Sequence, residues 1–376
     1  MNVNNNSVKR KDDLTDYYDA CVTGKAVVLR GDGEPRIASN TIRALQELKP
    51  SFLDEDSYSV GGEVEKLEKR FSEMLGKESA IFMPTGTLAN HLALRHLCQS
   101  QKRVIVPEQS HIYNDTGDGL EKLSGLKLIP LGKNRVCFSL NELKEAIRNA
   151  KTGRVDTPFG ALVIESPVRR KMGQTVAYSD MQRITDYCRQ NSIACHLDGA
   201  RLFMMSAATK IPITDYTKLF DTVYISLYKY LNSPSGAILA GPKDLLEPMI
   251  QSRRMFGGAL WGAYFFAALA LKELTSFEET YKKAFMTSEL LFSLINNLSG
   301  IRITAFKNGS NIFLVRLSPT INPEKFRQAL SEYAIYLDPN QRPSRTFTIN
   351  VNTSLLRQTK EHIAESVKNA LHSASV

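Results

Sequence analysis

The amino-acid sequence predicts an α/β fold: a mostly parallel, seven-stranded sheet with helical crossovers, followed by a small α+β domain. Between residues 79 and 241, seven short runs rich in isoleucine, valine and leucine alternate with helical patterns. Continuous apolar runs of this length are typical of strands covered on both faces, as in parallel sheets. From about residue 299, strand-like segments alternate with two helical stretches, a pattern typical of an α+β domain.

The predicted elements follow one another in a simple order. Apolar residues spaced three to four apart indicate a helix from Glu63, which Gly76 ends. The seven predicted strands are SAIFMP (79–84), RVIVP (103–107), LKLIPL (126–131), ALVIES (161–166), IACHLD (193–198), TVYISL (222–227) and GAILAG (236–241). The last two are too close together for a crossover helix, so they either pair antiparallel or are joined by a functional loop.

The region after the predicted sheet, about 245–290, has a helical pattern. It contains the longest uncharged run, Met255 to Leu271, which falls short of the roughly 20 apolar residues that span a bilayer and is predicted to be a buried helix. The later predicted elements are the strands IRITAF, IFLVRL, AIYLD and TFTINV and helices near 323–333 and 357–372. The expected divisions of the chain are an N-terminal arm (1–50), a large domain (51–275) and a small C-terminal domain (276–376).

Composition excludes some classes of protein. With 376 residues, 43% of them hydrophobic, the chain can bury a sizeable core and is not mainly disordered. The 48 basic and 39 acidic residues give a formal charge of +9, spread along the chain, which does not indicate a nucleic-acid partner. The five cysteines have no metal-ligand spacing, so we expect reduced thiols, no metal site and a cytoplasmic location. The first residues lack the apolar stretch of a signal peptide, and we expect no membrane association.

Two polar segments follow the first two predicted strands. PTGTLAN (84–90) opens a helix, whose first N–H groups and dipole favour anions, and the hydroxyls of Thr85 and Thr87 flank Gly86. Phosphate binding is one interpretation of this segment, and an ordinary helix cap is the other. EQSHIY (108–113) contains His111, which either stacks on a cofactor and moves protons or caps a helix.

Two further segments follow later strands. Asp198 ends the predicted strand IACHLD, with Arg201 three residues on. A carboxylate there holds a cationic ring nitrogen or a metal, or it forms a structural ion pair with the arginine. Lys229 is the only charged residue between Asp221 and Lys243, which argues against a solvated loop lysine. Desolvation there favours the neutral amine that Schiff-base chemistry requires.

Together the four segments resemble the large domain of pyridoxal-phosphate enzymes with the aspartate-aminotransferase-like fold. More narrowly, they resemble the threonine aldolase and β-eliminating lyase family. The sequences that carry the resemblance are PTGTLAN, EQSHIY, HLDGARL and YISLYKYLNSPSGA, with RRMFGG after them. It spans about residues 30–270, and HLDGARL with a downstream lysine is its most specific part. The C-terminal domain resembles the family only loosely.

The resemblance implies pyridoxal 5′-phosphate, an amino-acid substrate, and a homodimer or homotetramer with active sites at subunit interfaces. It implies that Lys229 forms a Schiff base with the cofactor, Asp198 holds the ring nitrogen and His111 stacks on the ring. The cofactor-binding residues implied are Thr85, Gly86, Thr87, His111, Asp198, Arg201, Lys229 and, across an interface, Arg254. The residues expected to bind the substrate are Arg345, Arg201 and Arg169. The expected catalytic residues are Lys229, His111, Asp198 and Arg201.

The chain also departs from the family pattern. Val168 stands where the family usually has a histidine assigned as a base, and Trp261 and Tyr228 replace an arginine and a serine. The N-terminal RGDG (30–33) replaces an RSDT-like sequence. These departures indicate intact cofactor machinery and altered substrate machinery.

The departures affect the expected substrate and base. Arg169 and Arg170 stand where the family usually has Asn or His, and they point to a substrate with an extra acidic group. Because valine accepts no proton, the expected base is His111 or a water, with Glu165 as a further candidate.

Three functions are compatible with these residues. The first is retro-aldol cleavage of a β-hydroxy-α-amino acid, such as threonine to glycine and an aldehyde. The second is β-elimination or aminotransfer on another amino acid, and the third is a non-catalytic protein that retains the fold. Lys229 and Asp198 argue against the third, since a binding module has no evident need of a Schiff-base lysine. We therefore expect a pyridoxal-phosphate-dependent carbon–carbon lyase or β-eliminating lyase.

Overall fold

A computed structural model describes residues 15–48 and 53–376 of the chain, which divide into two units. The larger unit comprises Leu48–Thr275 with Lys307–Ser310. The smaller unit comprises the described residues up to Glu47, with Ser276–Phe306 and Asn311–Val376. Residues 15–47 of the expected N-terminal arm therefore belong to the same unit as the C-terminal residues. Residues 1–14 and 49–52 lie outside the described residues. They include the N-terminal stretch from which we expect no signal peptide.

The strands, in chain order, are β1 (Val27–Val28), β2 (Ser79–Met83), β3 (Arg103–Pro107), β4 (Lys127–Leu131), β5 (Ala161–Glu165), β6 (Ala194–Asp198), β7 (Thr222–Ser226), β8 (Ala237–Gly241), β9 (Ile301–Ala305), β10 (Ile312–Leu317), β11 (Ile335–Tyr336) and β12 (Thr346–Asn350). The helices are α1 (15–22), α2 (Ala38–Gln46), α3 (Gly62–Leu75), α4 (Gly86–Cys98), α5 (His111–Asn114), α6 (Gly119–Ser124), α7 (Leu140–Lys151), α8 (Tyr178–Gln190), α9 (Leu202–Thr209), α10 (Ile213–Thr217), α11 (Lys243–Met255), α12 (Tyr264–Leu274), α13 (Phe277–Asn296), α14 (Pro323–Glu332) and α15 (Lys360–Ser373).

The larger unit is built on a seven-stranded sheet with the order β2-β8-β7-β6-β5-β3-β4. Strand β8 runs antiparallel to both of its neighbours, and the other adjacent pairs are parallel. The prediction of a mostly parallel, seven-stranded sheet is therefore confirmed. The two closely spaced runs form the antiparallel pair β7–β8, since their short connection cannot carry a crossover.

Strands β5, β7 and β8 are buried on both faces, which explains their continuous apolar runs, whereas the edge strand β4 is partly exposed. Helix α4 packs over the sheet together with α11. Their shared core consists of Ile81, Met83, Ala89, Leu92, Ala93, Ala200, Tyr224, Ala237, Leu239, Leu246 and Met249. The last turn of α4 packs with α6 against strands β3, β4 and β5. Helix α4 is therefore held over the middle of the sheet, with its first turn at the end of β2.

The smaller unit holds a three-stranded antiparallel sheet with the order β12-β10-β9. Helices α13, α14 and α15 belong to the same unit, as the α+β pattern predicts. The predicted strand AIYLD is reduced to the two residues of β11, which pair in parallel with β1. The last predicted helix begins at Lys360, after a 3₁₀ turn over Thr353–Arg357.

The prediction of one buried helix across Met255–Leu271 is wrong in its first half. Helix α11 ends at Met255, and α12 begins only at Tyr264. Gly257 between them has a φ of 72°, a conformation that favours glycine and breaks the helix. Within the connection Trp261 is exposed, with 72% of its surface accessible. No helix among the described residues is both long enough and apolar enough to span a bilayer.

Candidate active site

The chemistry-bearing segments meet at one edge of the large sheet. Strands β3, β5, β6 and β7 are parallel neighbours, so their carboxyl ends lie on the same side. Strand β2 shares that direction, because it and β7 are both antiparallel to β8. Ligands of open α/β sheets bind beyond this edge. The strand order therefore brings the start of α4, His111, Asp198 and Lys229 to one side of the molecule.

The first turn of α4 has the features of an anion site. Thr85 is its N-cap, and the Thr85 hydroxyl accepts a 3.2 Å hydrogen bond from the Leu88 N–H. The N–H groups of Gly86 and Thr87 belong to the helix start, where the dipole favours negative charge. A Cβ on Gly86 would lie 1.9 Å from the Tyr224 hydroxyl, so only glycine fits there. Thr85 and Thr87 are exposed, which leaves their hydroxyls accessible to a ligand.

Asp198 ends β6 as a buried carboxylate with 3% of its surface exposed. Its Oδ2 accepts a 2.7 Å hydrogen bond from Nδ2 of Asn90, and its Oδ1 accepts one from the Ala200 N–H at 3.2 Å. Two donors leave acceptor capacity on a carboxylate, which offers about four lone-pair sites. The position is suited to a cationic group, because a buried carboxylate needs positive charge nearby.

Glu165 lies beside Asp198 as its register partner on β5. Its Oε2 accepts the His111 N–H at 2.5 Å and its Oε1 accepts the Arg169 N–H at 3.0 Å. Burial, followed by the nearby charge of Asp198, raises the pKa of Glu165 above its ordinary value. One carboxyl group therefore anchors both loops that carry predicted site residues, a function that the sequence alone did not indicate.

His111 begins the short helix α5 after β3. Its Nδ1 lies 3.3 Å from Oδ2 of Asp115, and Oδ1 of Asp115 accepts a 2.8 Å hydrogen bond from Nη1 of Arg170. The His111 side chain is partly exposed, so it can contact a ligand. Asp115 therefore orients the imidazole of His111, and the guanidinium of Arg170 binds the other oxygen of Asp115.

Lys229 lies in the turn after β7, partly buried, with its ammonium 5.7 Å from the ring centroid of Tyr228. Three residues earlier, Ser226 is fully buried. Its hydroxyl lies beside Tyr224 but forms no hydrogen bond of normal geometry among the described residues. A buried hydroxyl with unused hydrogen-bonding capacity is costly, so a bound ligand would explain it.

These features fit pyridoxal phosphate. The glycine-only helix start suits a phosphate, the buried Ser226 hydroxyl lies beside Tyr224 on the strand that leads to Lys229, and Asp198 suits a protonated ring nitrogen. The residues present are therefore compatible with the cofactor that the resemblance implied.

The remaining predicted residues lie in different settings. Arg201 is the N-cap residue of α9. Its positive charge acts on the Glu165 carboxyl group and partly offsets the rise of that group's pKa. The side chain of Arg169 is exposed, while its backbone binds Glu165. Arg254 is exposed and lies over Tyr58, 4.4 Å from the ring centroid. Arg345 belongs to the smaller unit, just before β12.

Sequence reasoning assigned no function to Asn90 and His196, which the structure places directly behind Asp198. Both lie within the quoted sequences PTGTLAN and HLDGARL. The available signal was their polarity at positions predicted to be buried. Asn90 lies on the helix that covers the sheet, and His196 lies two residues before Asp198 on the same strand face.

Comparison with known families agrees with this geometry. A family model described as β-eliminating lyase matches residues 38–318, well over half of the chain. The chain belongs to the β-eliminating lyase family. It is a lyase of the pyridoxal-phosphate-dependent type, and its large unit has the fold of that group of enzymes.

Several relatives of this chain have named activities. The low-specificity L-threonine aldolase 1 of Arabidopsis thaliana is 26% identical over 294 residues, which cover 76% of this chain and 81% of that protein. A Cochliobolus carbonum protein named alanine racemase TOXG is 29% identical over 227 residues, 60% of this chain and 57% of that protein. A crystal structure attributed to an L-allo-threonine aldolase of Listeria monocytogenes is 26% identical, with a TM-score of 0.77. That alignment covers 94% of this chain and 99% of the other.

Proposed function

We propose that this lyase cleaves a β-hydroxy-α-amino acid by a retro-aldol reaction, giving glycine and an aldehyde. The observation that carries the proposal is the buried Asp198 carboxylate at the same sheet edge as His111 and Lys229. The similarity to proteins named L-threonine aldolase and L-allo-threonine aldolase supports the choice of reaction.

Bound pyridoxal phosphate supplies an electron sink that weakens one bond at the substrate's α-carbon. In the proposal, Lys229 holds the cofactor covalently, Asp198 holds its ring nitrogen as a cation, and His111 lies against its ring. The phosphate is held by the start of α4, with Thr85, Gly86 and Thr87, and by Arg254 of a neighbouring subunit.

The substrate carboxylate is assigned to an arginine, for which Arg201 of the larger unit and Arg345 of the smaller unit are the two candidates. An arginine binds a carboxylate through two parallel hydrogen bonds and so fixes its orientation. That orientation selects which α-carbon bond is weakened, and aldol cleavage requires the bond to the β-carbon.

A base must remove the proton of the β-hydroxyl group. Val168 is fully buried and has no proton-accepting group, so it has no part in this step. We assign the step to His111, directly or through a water, because Asp115 orients its imidazole. Both carboxyl oxygens of Glu165 already accept backbone N–H groups, which makes Glu165 a positioning residue.

The substrate is proposed to carry a second acidic group. Arg169 has an exposed side chain, and Arg170 is partly neutralised by Asp115. Since Arg169 follows the strand end at Glu165, it adds a cation to this edge of the sheet. β-Hydroxyaspartate is the simplest substrate with both features.

The protein is proposed to act as a homodimer or homotetramer in the cytoplasm. Tyr58 and Trp261 form an exposed aromatic pair with ring centroids 5.0 Å apart, beside Arg254 and the exposed Met255. Exposed apolar clusters of this kind often mark subunit interfaces. All five cysteines are free thiols, which supports a reducing compartment.

A substrate screen tests the reaction. L-Threonine, L-allo-threonine and β-hydroxyaspartate are incubated with the enzyme, and aldehyde or glyoxylate release is compared with that of Lys229→Ala. We expect release above this control, highest for β-hydroxyaspartate. If none is cleaved while another amino acid yields ammonia or a keto acid, the reaction is β-elimination or aminotransfer instead.

A further inference from the structure

A line of four buried polar side chains runs behind the proposed ring-nitrogen site. Thr222 Oγ1 lies 2.8 Å from Nδ1 of His196, and Nε2 of His196 lies 2.9 Å from Oδ1 of Asn90. Nδ2 of Asn90 then donates to Oδ2 of Asp198 at 2.7 Å. None of these residues exposes more than 3% of its surface. The line joins strands β7 and β6 to helix α4 and ends on the carboxylate.

The direction of every hydrogen bond in the line is determined by chemistry. An amide nitrogen only donates, so Nδ2 of Asn90 must face the carboxylate and Oδ1 must face the histidine. Nε2 of His196 must then carry the proton, which leaves Nδ1 as an acceptor for the Thr222 hydroxyl. All three donors therefore point toward Asp198.

The four side chains also cannot conduct a proton away from Asp198. Burial lowers the pKa of His196 to about 4, so the imidazole is neutral at physiological pH. The Asn90 amide does not titrate and separates the histidine from the carboxylate. Nδ2 of Asn90 therefore only donates to the carboxylate and never takes up a proton from it.

We propose that Asn90 and His196 are positioning residues that hold the Asp198 carboxylate in orientation for the cofactor's ring nitrogen. The inference rests on the proposed function, because it requires pyridoxal phosphate at this site. Asn90 supplies the hydrogen bond to the carboxylate, and His196 with Thr222 holds the orientation of the Asn90 amide.

The first test measures cofactor affinity in reconstituted apoenzyme. Asn90→Leu keeps the side-chain shape and removes both hydrogen bonds, and Thr222→Val removes only the distal donor. A hydrogen bond to a charged group is strong, so we expect Asn90→Leu to raise the cofactor dissociation constant by about tenfold to a hundredfold. Thr222→Val should raise it less. Ser124→Ala is the matched control, because it removes hydrogen bonds to His91 and Arg95 of the same helix without touching Asp198, and its affinity should equal that of wild type.

A double mutant separates a connected line from independent contacts. If the line acts as a unit, Asn90→Leu combined with Thr222→Val should bind the cofactor no more weakly than Asn90→Leu alone. Additive losses would show that the two residues act separately and would overturn the role of His196. Circular dichroism of each apoenzyme establishes that the variants fold.

A third variant supplies a pH signature that a packing defect would not give. Asn90→Asp can donate to Asp198 only while its new carboxyl group is protonated. Its cofactor affinity, relative to wild type at each pH, should therefore fall as the pH rises. A pH-independent ratio would contradict the inference.

Failure of the inference and failure of the proposed function give different results. If wild type binds no pyridoxal phosphate, the proposed function is wrong. If wild type binds it and all three variants match wild type in affinity and pH profile, only the inference is wrong.

Discussion

Nδ1 of His111 lies 3.3 Å from Oδ2 of Asp115, one helical turn further along the chain. The other carboxylate oxygen of Asp115 is bound by Arg170 at 2.8 Å. Asp115 therefore connects the proposed base to a cation on the next loop, and it constrains the orientation of the imidazole.

The proposed base can be tested on this relationship. His111→Phe keeps an aromatic ring but has no proton acceptor, so we expect kcat for aldol cleavage to fall by about 10²–10⁴-fold. Asp115→Ala should lower kcat less, because the imidazole remains but loses its partner. Arg189→Ala, which removes only an exposed ion pair with Asp186, is the control and should keep a normal kcat. A normal kcat for His111→Phe would assign the base to another group.

The covalent attachment of the cofactor can be located directly. Reduction of the holoenzyme with borohydride followed by peptide mapping should place the label on Lys229. Lys229→Ala should carry no label, whereas Lys243→Ala, a change at an exposed helix start, should keep it. A label on any other lysine would refute the assignment of the whole site.

Asp198→Ala should separate binding of the cofactor from its activation. A charge-assisted hydrogen bond contributes roughly 1.5–3 kcal/mol, so some cofactor should remain bound at high concentration. Turnover should fall nearly to background, because an uncharged ring nitrogen is a poor electron sink. Steady-state kinetics at saturating cofactor test this, and near-normal turnover would contradict the role.

Assembly can be tested at the exposed aromatic pair. Trp261→Glu places a charge where 72% of the indole is exposed, and it should lower the molar mass measured by light scattering if this surface joins subunits. Leu123→Glu is a matched control on α6, at a side chain that is 64% exposed, and should leave the mass unchanged. A wild-type monomer with full cofactor occupancy would exclude an interface role for Arg254.

Glu68 should give the larger unit a pH-dependent stability. Burial raises the pKa of Glu68 from an ordinary value near 4.5 to about 7. Since the folded state holds this proton more tightly than the unfolded state, the contribution is present at low pH and is lost as the pH rises to about 7.

Glu68→Gln tests that contribution with little change in shape. The amide oxygen can still accept the Phe82 N–H, which lies 2.7 Å from Oε1 in the native protein. At 1.36 kcal/mol per pKa unit, the variant should be more stable than wild type by up to about 3 kcal/mol at pH 8. The two should have similar stability at pH 5. Thermal unfolding at both pH values measures this, and equal Tm differences would contradict the assignment.

Much of the fold was readable in the sequence, because strand and helix signals are local. All seven predicted runs became strands within one or two residues of the expected bounds, since continuous apolar segments must be covered on both faces. The end of α3 was equally local, because Gly76 adopts the left-handed conformation with φ 60°. The loop between α11 and α12 was missed, since apolar content predicted burial while Gly257 broke the helix and Trp261 stayed exposed.

The amino-acid sequence by itself determined which residue types stand at the strand ends: Asp198, His111 and Lys229 were identifiable from their position after apolar runs. Only the tertiary structure decided their neighbours. Asn90 meets Asp198 from 108 positions away, and Glu165 meets the His111 backbone from 54 positions away. Such contacts depend on the order of strands in the sheet and on the placement of α4 over it. Local hydrophobic patterns carry no information about that order, because every buried parallel strand presents the same apolar surface to whichever strand lies beside it.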